Sequence, residues 1–140
     1  DLPVDHTGPR VLERVRVRGR RVSPLVLIED VEVVAMTTGS ELGALSQDTW
    51  LTTAAPRDYA QTRHWGHWIR EHTTASAGLM WRSLREPDDM VIVLFDDRVG
   101  PAPLGLSMAH PLSGDNGDFD SRVGHEWLEE TMSSYGVSFG

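Results

Sequence analysis

Three histidines, His64, His67 and His72, stand close together in this sequence and have the side chain that most often binds metals. On a helix, His64 and His67 would share a face because they are three residues apart. A zinc hydrolase normally carries an HExxH pattern, which is absent, and no nearby carboxylate is placed as a third ligand. The sequence therefore predicts no metal site.

Paired acids are the second group of side chains that could do chemistry; they are Asp88-Asp89, Asp96-Asp97 and Glu129-Glu130. A catalytic pair would need burial beside a like charge, which raises a carboxyl pKa. Each pair instead stands where a turn or a helix surface is expected.

The stretch from Gly100 to Gly105 lacks GxGxxG, and neither a P-loop nor a GxSxG elbow is present.

The strands that must position such residues come from short apolar runs. Val31 to Met36 is rich in β-branched residues, which favour a strand. Gly78 to Trp81 predicts a second strand and Met90 to Phe95 a third, buried one. Val137 to Phe139 predicts a last strand. These runs are interleaved with helical patterns, so the fold class is predicted to be α/β (α+β), a mixed sheet with flanking helices.

The main helix is predicted from Tyr59 to about His72, with Asp58 as its N-cap. Tyr59, Thr62, Trp65 or Gly66, and Ile69 recur at three-to-four spacing and form one face. Gly66 lies mid-helix, where it costs about 1 kcal/mol relative to alanine. We expect close packing against a neighbour to explain it.

Three further stretches carry weaker patterns. A short helix from Glu41 to Leu45 is predicted with Ser40 as its cap. Asp120 or Ser121 could cap a final helix that runs to about Tyr135 and stops at Gly136. The basic stretch from Arg10 to Arg21 fits a helix or a strand, ended by Gly19. A solvated face is favoured for it over an anion or dinucleotide contact.

Composition limits the function. The 140 residues predict one domain spanning 1–140, with a net charge of −8 that disfavours nucleic acid as a direct partner. All the basic side chains apart from histidine are arginine, so no lysine can act as a base or form a Schiff base. There is no cysteine, and no apolar run is long enough to span a membrane. We expect a cytoplasmic location and no membrane partner.

Three segments, residues 58–70, 77–85 and 91–96, together resemble the second half of the RES domain. In that family a Y-x-x-T-(Q/R) helix start leads to G-(I/L)-x-(Y/W)-x-S-x-R and then to an apolar strand ending L-F. Here these elements begin at Tyr59, Gly78 and Val91 and keep the family's order and spacing. The agreement of several elements is more specific than any one motif.

The resemblance implies a fold similar to ADP-ribosyltransferases and a chain that consumes NAD⁺ as a substrate, with no cofactor. Many members of the family are toxins held in check by an antitoxin protein, so an antitoxin is the expected partner. An oligomer is possible, but the sequence does not indicate an oligomeric state. Ser83 matches the family serine, Arg85 the basic residue that follows it, and Glu13 the family glutamate. The implied roles are catalysis for Glu13 and Ser83, and substrate binding for Ser83, Arg85 and Tyr59.

The resemblance also implies that the chain begins inside the domain, because the family's N-terminal arginine, tyrosine and glycine-rich strand have no counterpart here. The expected reaction is cleavage of the nicotinamide–ribose bond by a glycohydrolase or phosphorylase. Two alternatives stay open. One is a non-catalytic module that binds a nucleotide or a protein, and the other is an ADP-ribosyltransferase that modifies a protein target.

Overall fold

The computed structural model describes residues 10–140, and the chain divides into two compact units. The central unit is Glu29–Pro103, and the terminal unit joins residues 10–28 to Leu104–Gly140. Across residues 10–140 there are five α-helices and seven strands, arranged in small sheets with parallel and antiparallel pairs. The predicted mixed α/β class is confirmed. In that part of the chain no helix has both the length and the apolar character needed to cross a lipid bilayer.

The central unit is built on a three-stranded sheet. Its strands are β3 (Val34–Met36), β4 (Gly78–Arg82) and β5 (Met90–Leu94), in the order β3-β4-β5. Strand β4 pairs parallel to β3 and antiparallel to β5, so the sheet is mixed. All three strands form where the apolar runs predicted them, although β3 is shorter than the run from Val31. The prediction that β5 is buried is wrong: β5 is an edge strand, and Ile92 is 49% exposed.

Three helices follow in the central unit: α2 (Gly39–Ala44), α3 (Trp50–Thr53) and α4 (Tyr59–His72). Helix α4 has the predicted bounds, and Asp58 precedes it, but the Asp58 side chain makes no capping hydrogen bond. Helix α2 begins earlier than predicted, and Thr38 rather than Ser40 is its cap. The reason is a capping box, in which Thr38 accepts from the Glu41 amide and the Glu41 carboxylate accepts from the Thr38 amide.

The core of the central unit joins its helices to its sheet. Its buried side chains are Met36, Leu42, Ile69 and Leu79. At the start of β4, Gly78 lies against β5 so closely that an added Cβ would overlap the carbonyl oxygen of Val93. Only glycine fits this approach, which gives the glycine of the G-(I/L)-x-(Y/W) pattern a packing reason.

The terminal unit contains the remaining elements. They are β1 (Arg10–Leu12), α1 (Arg14–Val17), β2 (Leu25–Leu27), β6 (Leu104–Leu106), α5 (Arg122–Ser134) and β7 (Val137–Phe139). Strand β1 pairs parallel to β7, and β2 pairs antiparallel to β6. Strand β6 and helix α3 were not predicted. For β6 the reason is that Pro101 and Pro103, just before the strand, indicate a loop.

The ends of the terminal unit match the predicted signals. Ser121 caps α5 by accepting a hydrogen bond of 3.0 Å from the Gly124 amide. Gly136 follows the helix with a φ of +66°, which stops it as predicted. The basic stretch contains a strand and then one helical turn, and its arginines are exposed, as a solvated face requires.

Candidate functional site

The central unit holds a cavity of about 640 Å³, within the range of small-molecule sites in proteins. Helix α4, the sheet and the segment around α3 supply its walls. The lining residues are Met36, Leu51, Thr52, Ala54, Tyr59, Thr62, Arg63, Gly66, Ile69, Leu79, Trp81, Leu84 and Val93. Most of this surface is apolar, which suits a ligand with a flat or hydrophobic part.

One face of α4 forms the helical wall. Tyr59, Thr62, Arg63, Gly66 and Ile69 all line the cavity, at intervals that bring residues of a 3.6-residue helix to one side. The explanation of Gly66 by close packing is wrong, because a Cβ built there would have no heavy atom within 4 Å. Gly66 instead borders open space in the cavity.

The sheet wall follows from strand register. Leu79 and Trp81 are two residues apart in β4 and therefore point to the same side of the sheet. Val93 pairs with Leu79 across β4 and β5, and Met36 pairs with Trp81 across β3 and β4. All four residues line the cavity. The pairing of three strands thus assembles an apolar wall with one large aromatic ring.

Arginine contacts tie the end of α4 to the segment after β5. The Arg98 guanidinium donates to the carbonyl oxygens of Arg70, Thr73 and Ser76 at 2.7, 2.9 and 3.2 Å. Arg70 in turn donates to the Asp97 carboxylate at 2.6 Å, and this hydrogen bond lowers the pKa of Asp97. The cation at the carboxyl end of a helix also complements the helix dipole. These contacts hold the two walls together.

The chemistry available in the cavity is recognition rather than proton transfer. Among the described residues that line it there is no carboxylate and no histidine, and Arg63 carries the charge. The Thr52 hydroxyl donates to the carbonyl oxygen of Thr49, and the Thr62 hydroxyl donates to that of Tyr59. The Tyr59 phenol, the Trp81 indole and the Arg63 guanidinium remain to orient a ligand.

Ser83 directly follows β4, and its neighbour Leu84 lines the cavity, whereas Ser83 itself is outside the lining. Its half-buried hydroxyl accepts hydrogen bonds from the amides of Arg85 at 3.3 Å and Glu86 at 3.1 Å. Strand β4 is the central strand of its sheet, not an edge strand. Arg85 is exposed and is also outside the lining.

The other two predicted site residues lie in different units. Tyr59 lines the cavity from the first turn of α4 and is 54% exposed. Glu13 belongs to the terminal unit, where it precedes α1; its side chain is 67% exposed and pairs with Arg16 at 3.8 Å. The structure therefore brings Tyr59 to the cavity, leaves Ser83 and Arg85 outside its lining on either side of Leu84 in the sequence, and places Glu13 in the other compact unit.

The histidines of α4 belong to its surface. His72 stacks on Trp68 with ring centroids 4.1 Å apart, and its Nδ1 lies 2.8 Å from the Trp68 carbonyl oxygen. Over residues 10–140 no group of three histidine, aspartate or glutamate side chains is arranged to hold a metal ion.

Arg63 was missed as a site residue by the sequence reasoning. A signal for it existed, because Arg63 occupies the (Q/R) position of the Y-x-x-T-(Q/R) pattern that begins at Tyr59. The apolar pattern of the helix face drew attention to Tyr59, Thr62 and Ile69, and a charged residue does not fit that pattern. Only the cavity shows that the same face includes a guanidinium.

Comparison with known proteins agrees with the pattern in the sequence. The RES domain model matches residues 5–113, which cover most of the chain and all of the cavity lining. No curated protein and no solved structure gives a significant match. Since the matched region exceeds half of the 140 residues, this chain belongs to the RES domain family.

Proposed function

We propose that this chain binds NAD⁺ in the cavity of the central unit and cleaves its nicotinamide–ribose bond. One observation carries the proposal: the residues that show the RES pattern also build the cavity. Tyr59 and Thr62 begin the pattern, Trp81 continues it, and Leu84 lies beside the family serine. A family pattern concentrated around a cavity of suitable size supports a binding role for it.

The proposed reaction breaks the bond between the ribose C1′ and the nicotinamide nitrogen. The electron pair leaves with nicotinamide, and positive charge develops on the ribose. Water then adds its oxygen to C1′ and releases a proton, which yields ADP-ribose; in a phosphorylase, phosphate adds instead. A carboxylate stabilises such a transition state. We assign this role to Glu13, because it is the residue that matches the family glutamate.

The Ser83 hydroxyl can still donate one hydrogen bond to a substrate. Its oxygen accepts from two backbone amides, and a hydroxyl carries one donor hydrogen as well. We propose that Ser83 donates this hydrogen to the nicotinamide ribose or amide, with Tyr59 against the substrate and Arg85 near its pyrophosphate. The turn orients the Ser83 hydroxyl. Because the turn uses only the oxygen as an acceptor, Ser83 can support the turn and contact the substrate at the same time.

The test is to incubate the purified chain with NAD⁺ and to separate the products by chromatography. Nicotinamide with ADP-ribose identifies hydrolysis, and a product that needs added phosphate identifies phosphorolysis. Transfer of label from radioactive NAD⁺ to protein would identify the ADP-ribosyltransferase alternative. Intact NAD⁺ with no labelled protein would refute the enzymatic proposal.

The serine is tested by Ser83→Ala, which we expect to lower NAD⁺ turnover about 100-fold or more. Removal of its oxygen also leaves two amides without their acceptor and destabilises the protein by about 1 kcal/mol. Ser83→Thr keeps the hydroxyl and should recover part of the turnover. The control is Ser133→Ala on the exposed surface of α5, where turnover should equal that of the unaltered protein.

A second candidate function is binding of a nucleotide without chemistry. The observation that favours it is the absence of a carboxylate among the described residues of the cavity lining. Calorimetry separates the two functions, since a binding module gives saturable heat with NAD⁺ and no nicotinamide release. An enzyme gives turnover, and Glu13→Gln should remove most of it.

If the chain is a toxin, its partner is an antitoxin protein and its site of action is the cytoplasm, where NAD⁺ is held. We propose both on family membership. Induction of the chain in a bacterial host should lower cellular NAD⁺ and stop growth, and Glu13→Gln should abolish both effects. Normal growth and normal NAD⁺ on induction would contradict the toxin role.

A further inference from the structure

The arginines of the central unit are of two kinds. Those already engaged by protein groups are Arg57 with Asp58, Arg70 with Asp97, Arg82 with the Pro87 carbonyl, and Arg98 with three carbonyls. Within residues 10–140, the guanidinium groups of Arg63 and Arg85 make no such contact. Of these two, Arg63 lines the cavity and Arg85 does not.

The surroundings of Arg63 leave room for a ligand. Tyr59 lies one helical turn before it and Gly66 about one turn after it, on the same face of α4. Because an added Cβ at Gly66 would meet nothing within 4 Å, the space beside Arg63 is open. Trp81 lines the opposite, sheet side of the same cavity. One unengaged and exposed cation therefore lines a largely apolar cavity that two aromatic side chains, Tyr59 and Trp81, also line.

We propose that Arg63 is the anion-binding residue of this cavity and that its ligand class is a phosphorylated nucleoside. One phosphate group accepts hydrogen bonds from the Arg63 guanidinium, and the base or ribose packs between Tyr59 and Trp81. The inference rests on the proposed function, since NAD⁺ consists of two such nucleotides. Inside the cavity it assigns the phosphate contact to Arg63, because Arg85 lies outside the lining.

Physical chemistry favours phosphate on this residue. A guanidinium presents parallel N–H donors that match phosphate oxygens, and such charge-assisted hydrogen bonds are about twice as strong as neutral ones. Arg63 is exposed, so its attraction for phosphate is screened by salt. Tyr59 and Trp81 can pack against a ring of the ligand. A phosphate or carboxylate ion without a ring would not use these contacts, so they favour a ligand that carries both a ring and a phosphate.

The experiment compares ligands that differ by one phosphate. Calorimetry on the full chain measures AMP against adenosine, and nicotinamide mononucleotide against nicotinamide riboside. We expect at least one phosphorylated member to bind about 10-fold or more tightly than its nucleoside, an affinity difference that falls as salt is raised. Arg63→Gln should reduce that ratio to about one, and Arg63→Lys should keep part of it because the charge remains.

Arg57→Gln is the matched control, because it removes the same charge from an exposed site outside the lining. It should leave the ratio unchanged. Circular dichroism and thermal unfolding of each variant verify that the fold is retained. Three results would overturn the inference: equal binding of nucleotide and nucleoside by the unaltered chain, equal effects of Arg63→Gln and Arg57→Gln, or a ratio that is lost in Arg85→Gln and kept in Arg63→Gln. No binding of any of the four ligands would overturn it as well.

The outcome is independent of catalysis. Neither AMP nor adenosine has a nicotinamide–ribose bond, so their ratio can be measured on a chain without turnover. A phosphate preference that depends on Arg63, with NAD⁺ left intact, would refute the proposed enzyme and support the inference. If NAD⁺ is cleaved, Arg63→Gln has no effect on cleavage and no phosphate preference is found, the proposed enzyme is supported and the inference is refuted.

Discussion

Replacement of Gly66 by alanine should make this protein more stable. Gly66 lies in the interior of the 14-residue helix α4, where glycine is less favourable than alanine by about 1 kcal/mol. The gain arises because alanine restricts the unfolded chain and costs no extra entropy in the helix. Whether it is realised depends on space, and a Cβ at this position has no heavy atom within 4 Å. The free energy of unfolding should therefore rise by about 1 kcal/mol.

For a protein of this size, 1 kcal/mol corresponds to an increase in Tm of about 3–5 °C. Urea unfolding followed by tryptophan fluorescence gives the free energy, and calorimetry gives the Tm. Gly124→Ala is the matched control, because Gly124 also lies in a helix but its added Cβ would overlap the carbonyl oxygen of Asp118. That variant should lose about 1–3 kcal/mol from overpacking against backbone.

Opposite signs for these two glycine variants are the result that the reasoning requires. A loss of stability in Gly66→Ala would mean that the face of α4 at Gly66 is closely packed and that the cavity does not extend there. Equal gains in both variants would mean that helix propensity alone decides and that the space around each added Cβ has no effect. Gly66→Leu extends the test to function, since its side chain should occupy the cavity and lower NAD⁺ affinity about 10-fold without unfolding the protein.

The remaining predictions concern the framework of the central unit. Ile69 is 1% exposed, and Ile69→Ala should lower the free energy of unfolding by about 3 kcal/mol in urea titrations, whereas a loss under about 1 kcal/mol would show that the site is not packed. Arg98→Ala removes three hydrogen bonds to backbone carbonyls and should lower the free energy of unfolding by about 2–4 kcal/mol. Arg98→Lys should recover little of this loss, because an ammonium group cannot reproduce the planar arrangement of guanidinium N–H donors. Hydrogen bonds from the Thr37 hydroxyl and amide lower the pKa of Glu41 from its ordinary value of 4.5, so the carboxylate stabilises the fold above that pH and loses its contribution as pH falls through the lowered pKa. The stability difference between the unaltered chain and Glu41→Gln should therefore shrink as urea unfolding is moved from neutral to strongly acidic pH, and a difference that is constant with pH would show that the carboxylate charge plays no part.

Local signals in the sequence were sufficient for several elements. Helix α4 starts and ends where its apolar period and Asp58 predicted, and β4 and β5 fall on the predicted apolar runs. Gly136 stops α5 because a positive φ is available to glycine without strain. Each of these features depends on neighbours a few residues away, so it can be inferred from a short stretch. The spacing of the RES pattern is local in the same sense.

Competition between nearby groups was harder to infer. Ser40 and Thr38 can both cap a helix, and Thr38 prevails because Glu41 stands three residues after it and completes a capping box. Ser83 was predicted as a site residue, yet its oxygen is also the acceptor for a turn, which no residue type alone could indicate. In both cases the backbone geometry chooses among groups with similar chemistry.

By itself, the sequence determined the α/β class, the main helix with its two following strands, and membership of the RES domain family, because these follow from periodicity and from residue order. Only the tertiary structure decided that the Arg63 and Gly66 face of α4 borders a cavity, and that β1 pairs with β7 at the other end of the chain. The physical reason is packing between elements: the face of a helix cannot be assigned a binding role until other elements pack opposite it and leave a gap that side chains do not fill.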